Sequence, residues 1–419
     1  MLKITSFNSM GVSIRLVLAF VSQKVIAELL GPSGVAQLGN IRNILPMIES
    51  FSTLGVFNGI VKYVSEHREE EKELQKLFST AFVYILCASL FAFFVLFFGA
   101  EILNDYIFPN QEFSFVFKIV AISVPFIALV RIFNGVVNGL SAYKSFVTIN
   151  LISYVCSILL LIVMVLYKNI NGALIAIAIS PIVQFTLVAY FYIKVIKDYV
   201  KFKDLSFSIP YKNELFAFTI MSLVSTFLGN FVEMYLRGEL TNKIGIHDAG
   251  NWTGMTNISK QYIMFISAIL TLYVLPKFST IKNSIAFRKE VLNIYKTVLP
   301  LFALGMLLIF FCREWVILIA KSDEFLGMKP LFKWQLLGDF IKIASVIIAH
   351  QFFAKKMVIQ FVVTELFSLI IFYFLASFFI ESLGAEGVVL AHFIRFVLYF
   401  LLVVVMLKKH LFGNHAIKG

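Results

Sequence analysis

The residues with chemistry to do are charged side chains set inside long apolar runs. Arg42, Lys62, Arg131, Arg237, Lys260 and Lys342 are the basic ones, and Asp339, Glu365 and Glu49 the acidic ones. A charge at mid-membrane costs roughly 2.5–3.5 kcal/mol on insertion scales, so each must find a partner, a ligand or water. Basic residues outnumber acidic ones here, so the polar interior they make suits an anionic ligand. Arg grips phosphate oxygens bidentately, which makes the six basic residues candidates for substrate binding. A carboxylate in low-dielectric surroundings readily accepts a proton, so the three acids are candidates for coupling to a proton or another cation.

Spacing sets a plainer reading beside each of these. Arg42 and Glu49 share one helical face with Pro46 between them, so Arg42 either lines a cavity or pairs with Glu49 or Glu28. Pro46 removes a helix hydrogen bond and is expected to kink that span. Lys24 and Glu28 stand i, i+4 and are expected to pair, while Arg15 has no partner within its own helix. Arg131, Asn134 and Asn138 form one polar stripe, which faces another helix or a cavity. Glu233 and Arg237 stand i, i+4; Asp339 and Lys342 stand i, i+3, the spacing of a structural ion pair. His392 and Arg395 are also i, i+3, and Glu365 stands alone. Lys118, Lys296 and Lys333 lie near expected span ends and are read as snorkelling. Gly55-Val56-Phe57-Asn58-Gly59 and Gly135-Val136-Val137-Asn138-Gly139 repeat one small-residue packing pattern.

No nucleophile elbow, phosphate loop or zinc spacing is present, so no catalytic residue, metal or cofactor is assigned. Cys87, Cys156 and Cys312 are far apart in apolar runs and read as small hydrophobes. The first apolar segment carries Arg15, Lys24 and Glu28, so no cleaved leader is expected there.

The elements that position these residues follow from composition. Of 419 residues, 60% are hydrophobic and 14% charged, against about 25% charged in an ordinary soluble domain. Mean hydropathy is +0.89. The chain is an all-α membrane protein with room for about twelve spans of roughly 20 residues. Apolar segments fall at 8–30, 37–64, 76–99, 115–140, 145–167 and 172–193, then at 213–241, 249–276, 290–319, 329–353, 358–380 and 385–407. No connection is long enough for a soluble catalytic lobe, which argues against an enzyme such as a membrane glycan polymerase.

The longest polar connection, 194–212, holds Lys194, Lys197, Lys201, Lys203 and Lys212 and divides two six-helix halves, 1–200 and 201–419. Alternate loops carry most of the basic residues, among them Arg68, Lys72, Lys76, the linker lysines, Lys277, Lys282, Arg288, Lys289, Lys355, Lys356, Lys408, Lys409 and Lys418. The opposite loops hold only Lys168, Lys243, Lys321 and Lys329. This bias places both termini in the cytoplasm. It also explains most of the net charge of +12, so no nucleic-acid partner is expected. Gly39, Lys62 and Phe117-Lys118 match Gly254, Lys277 and Phe332-Lys333 at one constant offset, as two parallel repeats would.

A family resemblance rests on particular residues. Gly31-Pro32-Ser33-Gly34 through Asn40-Ile41-Arg42, then Gly55 to Gly59 and on to Lys62-Tyr63-Val64, resemble the first two spans of Wzx-type flippases. Trp252 and Gly254, Tyr273-Val274-Leu275-Pro276, and Phe332 to Asp339 with Lys342 add matches in the same order. Those flippases, of the O-antigen and enterobacterial common antigen class, form the polysaccharide transporter branch of the MOP exporter superfamily. The resemblance implies a MATE-like fold, two six-helix bundles around a central cavity. It implies transfer of an undecaprenyl-diphosphate-linked oligosaccharide from the cytoplasmic to the periplasmic leaflet of a bacterial inner membrane. Arg42, Lys62, Arg237, Asp339 and Lys342 occupy positions of the family's motif charges. Antiport of H+ or Na+ and contact with glycan polymerase machinery belong to the same implication. Pro46, Glu49 and His350 depart from the pattern and leave sugar and coupling ion open. The rival within the class is a multidrug or other-lipid exporter of the same superfamily; drug cations would favour an acidic interior rather than this basic one.

Overall fold

A long apolar segment has one local way to satisfy its backbone away from water, the α-helix. The computed structural model of the chain describes residues 2–109, 111–140, 143–196, 205–355 and 357–413. These are helical almost throughout, with no β-strand among the described residues. Lys197, Lys201, Lys203, Lys356 and Lys418 of the basic loops lie outside them.

The first half of the chain holds α1 (Leu2–Ser52), α2 (Phe57–Glu66), α3 (Glu71–Phe98), α4 (Ala100–Ile107), α5 (Ser114–Gly139) and α6 (Tyr143–Ile196). Then follow α7 (Lys212–Ser222), a wider π turn at Leu223–Leu228, and α8 (Gly229–Lys243). The remainder comprises α9 (Ile246–Thr280), α10 (Ser284–Phe311), α11 (Arg313–Ala320), α12 (Leu331–Ala354), α13 (Val358–Met406) and α14 (Lys408–Phe412).

Three helices are too long for one crossing. Runs of 51, 54 and 49 residues in α1, α6 and α13 at about 1.5 Å per residue exceed twice a hydrocarbon core of about 30 Å. Each is interrupted once by backbone outside the helical region: Gly31 at φ 60°, Asn169 at φ 48° beside Lys168, and Gly384 at φ 55°. Glycine occupies two of these three places because it alone takes positive φ without strain. By length and composition seven helices can cross a membrane, or eight when α1 and α2 count as one bent span. The chain is a multi-pass membrane protein.

That bent span turns through 47°. The bend does not fall at Pro46, where the sequence places it: helical backbone runs through the proline. It falls at Leu54 and Gly55, with φ of 47° and 64°. Two consecutive left-handed residues end a helix outright, whereas a proline removes one hydrogen bond. The break is closed by bonds from Gly55 N to Ser50 O at 2.8 Å and from Thr53 Oγ1 to Glu49 O at 2.6 Å.

The chain forms two compact units, Met1–Leu30 with Gln37–Phe231, and Gly31–Ala36 with Val232–Gly419. In the first, the core gathers Val56, Ile60 and Val64 of α2 with Leu77 and Phe78 of α3, Val136 and Val137 of α5 and Leu215 of α7. The repeated glycine pattern makes this possible. A Cβ at Gly139 would lie 2.8 Å from Val64 Cβ, and one at Gly59 would lie 2.5 Å from Leu215 Cδ2. Small residues let α2 approach α5 on one side and α7 on the other.

Tyr211, just before α7, fixes the end of the connection to α3. Its hydroxyl donates to Glu73 Oε2 at 3.0 Å and its amide to Thr80 Oγ1 at 3.2 Å. Burial first, and that carboxylate second, hold its phenol well above the usual tyrosine range, so it stays a donor.

Gly139→Ala is expected to destabilise the protein by about 1–3 kcal/mol through overpacking. Gly305→Ala, on α10 with open space around it, is expected to be neutral or to gain up to about 1 kcal/mol of helix propensity. Thermal melts of the detergent-purified variants check both, as a lowered midpoint for the first and an unchanged or raised one for the second.

Candidate functional site

The charged residues inside the spans divide into those bonded to a carboxylate or hydroxyl and those that are not. Lys24 reaches Glu28 at 3.0 Å along α1. Glu49, on the same helix, takes Arg131 of α5: Nε lies 2.8 Å from Oε1, and the guanidinium sits 3.8 Å from the centre of the Phe57 ring. Arg131 therefore ties α1 to α5 across the bend. Asn134 of the same stripe is buried and accepts from Asn150 at 3.4 Å. Lys62, near the end of α2, lies 4.0 Å from Glu66 and 4.4 Å from the centre of the Tyr63 ring.

In the second unit, Lys260 of α9 meets Glu233 of α8 at 2.6 Å. Arg237 is 2% exposed and donates from Nε to Thr253 Oγ1 at 2.8 Å, with Trp252 beside it. Glu365 of α13 accepts from Tyr399 at 3.1 Å, so it does not stand alone.

Among the six basic candidates, Arg42 and Lys342 make no ion pair among the described residues. Glu28 and Glu49, the sequence's options for Arg42, are taken by Lys24 and Arg131. Tyr154 of α6 lies within electrostatic reach of Arg42, and Arg15 lies over that ring at 5.0 Å from its centre. Lys342 lies 5.3 Å from the centre of the Phe396 ring.

Asp339 is the most enclosed charge. It is 0% exposed and accepts from groups on three helices. Ser259 Oγ of α9 donates to Oδ2 at 2.6 Å, and the Tyr262 hydroxyl donates to the same oxygen. Gln335, one turn earlier on α12, donates at 3.1 Å, and His392 Nε2 of α13 lies 2.9 Å from Oδ1. Asp339 therefore does not form the structural pair with Lys342 that their spacing suggests. The physical reason is its neighbour Gly338. A Cβ there would lie 2.5 Å from His392 Cδ2 and 3.1 Å from Phe393 Cα. The missing side chain lets α13 come close enough for His392 to reach the carboxylate. A buried carboxylate hydrogen-bonded to an imidazole is an arrangement that can exchange a proton.

Sequence reasoning picks out Asp339 and, separately, His392, but neither their contact nor the roles of Ser259, Tyr262 and Gln335. The one available signal is the shared i, i+3 spacing of Asp339–Lys342 and His392–Arg395, which puts an ionisable group and a cation one turn apart on each of two helices.

Comparison with known proteins gives the family and the fold. A family model described as polysaccharide biosynthesis protein matches residues 1–282. The chain is 24% identical over 377 residues to the Lipid III flippase of Escherichia coli (strain K12), covering 90% of this chain and 91% of that one. Among solved structures, it superposes with a TM-score of 0.76 on an inward-facing multidrug resistance MATE family transporter of the MOP superfamily. That protein is 14% identical, with 94% of this chain and 95% of that one covered. Lipid II flippase MurJ, in an inward closed conformation, gives a TM-score of 0.72 at 17% identity, covering 96% and 87%. At such identities the two structures establish the fold, and it is the all-helical, MATE-like fold expected. These relatives are flippases and transporters, not enzymes.

Asp339→Ala and His392→Ala are each expected to destabilise by about 1–3 kcal/mol, the range for stranding a buried hydrogen-bonding group. The double variant is expected to lose less than the two together, since both remove one shared bond. Thermal melts of the three proteins in one detergent check this; strict additivity would refute the shared bond.

Proposed function

We propose, for a chain that belongs to the polysaccharide biosynthesis protein family, that it moves an undecaprenyl-diphosphate-linked oligosaccharide from the cytoplasmic to the periplasmic leaflet. The observation that carries the reading is that Arg42 and Lys342 lie in apolar helices without an ion pair among the described residues. A cation with no directly paired anion is costly in hydrocarbon, and a diphosphate headgroup that arrives with the substrate is an anion that would neutralise it. The similarity to the Escherichia coli Lipid III flippase along most of both chains supports the same substrate class. Arg42 in the first unit and Lys342 in the second are each then a cation that a phosphate group would neutralise. Arg131, Arg237, Lys260 and Lys62, bonded as described, hold helices in place and add positive potential. The prenyl chain stays in lipid while the hydrated glycan crosses on the polar side chains.

The three interrupted runs read as two crossings each, and α9 as one more, giving the twelve expected from the apolar pattern. The halves at 1–200 and 201–419 alternate access by rocking, both termini face the cytoplasm, and the membrane is the bacterial inner membrane. Coupling is by antiport of a proton or sodium ion, with Asp339 as the first candidate because its carboxylate is buried beside His392. Glu49 and Glu365 follow, since Arg131 and Tyr399 already hold them.

Expression in a bacterial strain lacking its lipid-linked oligosaccharide flippase tests the reading. Surface glycan is expected to return with the wild-type chain. Arg42→Ala at matched expression is expected to lower it on the order of tenfold or more, from loss of about 1.5–3 kcal/mol of charge-assisted bonding. Asp339→Asn is expected to abolish the response to an imposed ion gradient in proteoliposomes. No restored glycan of any type, together with acquired drug resistance, would replace this reading with the exporter.

A further inference from the structure

Two cations share one aromatic ring in the second unit. Lys342 of α12 and Arg395 of α13 approach Phe396 at 5.3 and 4.8 Å from the ring centre. They lie one turn beyond Asp339 and His392 on the same two helices, so an ionisable layer and a cationic layer are stacked. Both are partly buried. Like charges so placed repel, and neither makes an ion pair among the described residues. Asp339 and Glu365 act on the two cations electrostatically, but neither pairs with them directly. Asp339 accepts from Ser259, Tyr262, Gln335 and His392, and Glu365 accepts from Tyr399. Aromatic faces compensate a cation only in part.

Arg395 is held rather than loose. Its Nε donates to Ser368 Oγ at 2.7 Å, and its guanidinium lies 4.9 Å from the centre of the Phe372 ring. That grip uses the Nε edge, with the Phe372 and Phe396 rings against the guanidinium. The two terminal nitrogens make no hydrogen bond among the described residues, and a paired terminal edge is the part of arginine that clasps a phosphate.

We propose that Arg395 and Lys342 together form a seat for a phosphate oxyanion, with Arg395 the clasping group, Lys342 the neutralising charge and Ser368 the positioning residue. As the seat for the diphosphate of a polyprenyl carrier it rests on the flippase reading; as a phosphate site it does not. Arg395 belongs to none of the charges the sequence singles out for substrate, because its neighbour in space is on another helix.

The test uses the full chain in phosphatidylcholine nanodiscs and two probes, inorganic pyrophosphate by calorimetry and undecaprenyl diphosphate by native mass spectrometry. Wild type is expected to bind both. Arg395→Gln and Lys342→Gln are each expected to weaken pyrophosphate about tenfold, one charge-assisted contact's worth. Arg395→Lys keeps the charge without the fork and falls between. Ser368→Ala weakens binding a few-fold through orientation alone. Arg313→Gln, which removes a cation resting on Phe310 elsewhere, leaves it unchanged. Should Arg395→Gln fold poorly, the Arg395→Lys and Ser368→Ala affinities decide. Pyrophosphate binding that is absent from wild type, or unaltered in Arg395→Gln and Lys342→Gln with normal melts, overturns the seat. Lipid adducts that persist while pyrophosphate binding falls overturn the carrier-lipid assignment. Failure of the flippase reading shows separately, as absent glycan restoration with pyrophosphate binding intact.

Discussion

Hydrocarbon offers a charge nothing to bind, and the internal arrangement of this chain follows from that single constraint. The acids singled out inside the spans accept from specific donors: Glu49 from α5, Glu233 from α9, Glu365 from further along its own α13, and Asp339 from α9, α13 and its own α12. These contacts carry much of the specificity of helix packing in a chain whose apolar faces are otherwise interchangeable with lipid. The acids are consumed in this way, and the excess of basic residues is what remains for an anion.

Pairing along one helix is legible in sequence, and pairing between helices is not. Lys24 and Glu28 read correctly because the helix alone brings them together. Glu49 and Arg131 are separated by whole helices, so nothing in their spacing announces the contact. Asp339 and Lys342 show the opposite failure. Their spacing is that of a pair, yet a histidine from a neighbouring helix wins the carboxylate because a glycine admits it. The all-α membrane class needed only composition and the lengths of the apolar runs, which survive any detail of packing, whereas the MATE-like arrangement followed from the family resemblance.

Glycine and proline also separate cleanly by what they do here. Gly31 and Gly384 mark two of the three interruptions, and the duplicated Gly-Val-x-Asn-Gly pattern marks where backbones approach. Pro46 leaves its helix intact, and the bend falls at Leu54 and Gly55 instead. A missing hydrogen bond is tolerated within a packed helix, whereas two left-handed residues leave the chain no choice of direction.

The close approach at Gly338 has a mechanical side. His392 and the backbone at Phe393 fill the space a side chain would occupy, so α12 and α13 are keyed like a tooth in a notch. Neither helix can slide along the other by a residue without driving a side chain into that notch. The notch therefore resists shear between α12 and the part of α13 after Gly384 at the level of the buried carboxylate, and a shift of either helix is felt there by the other.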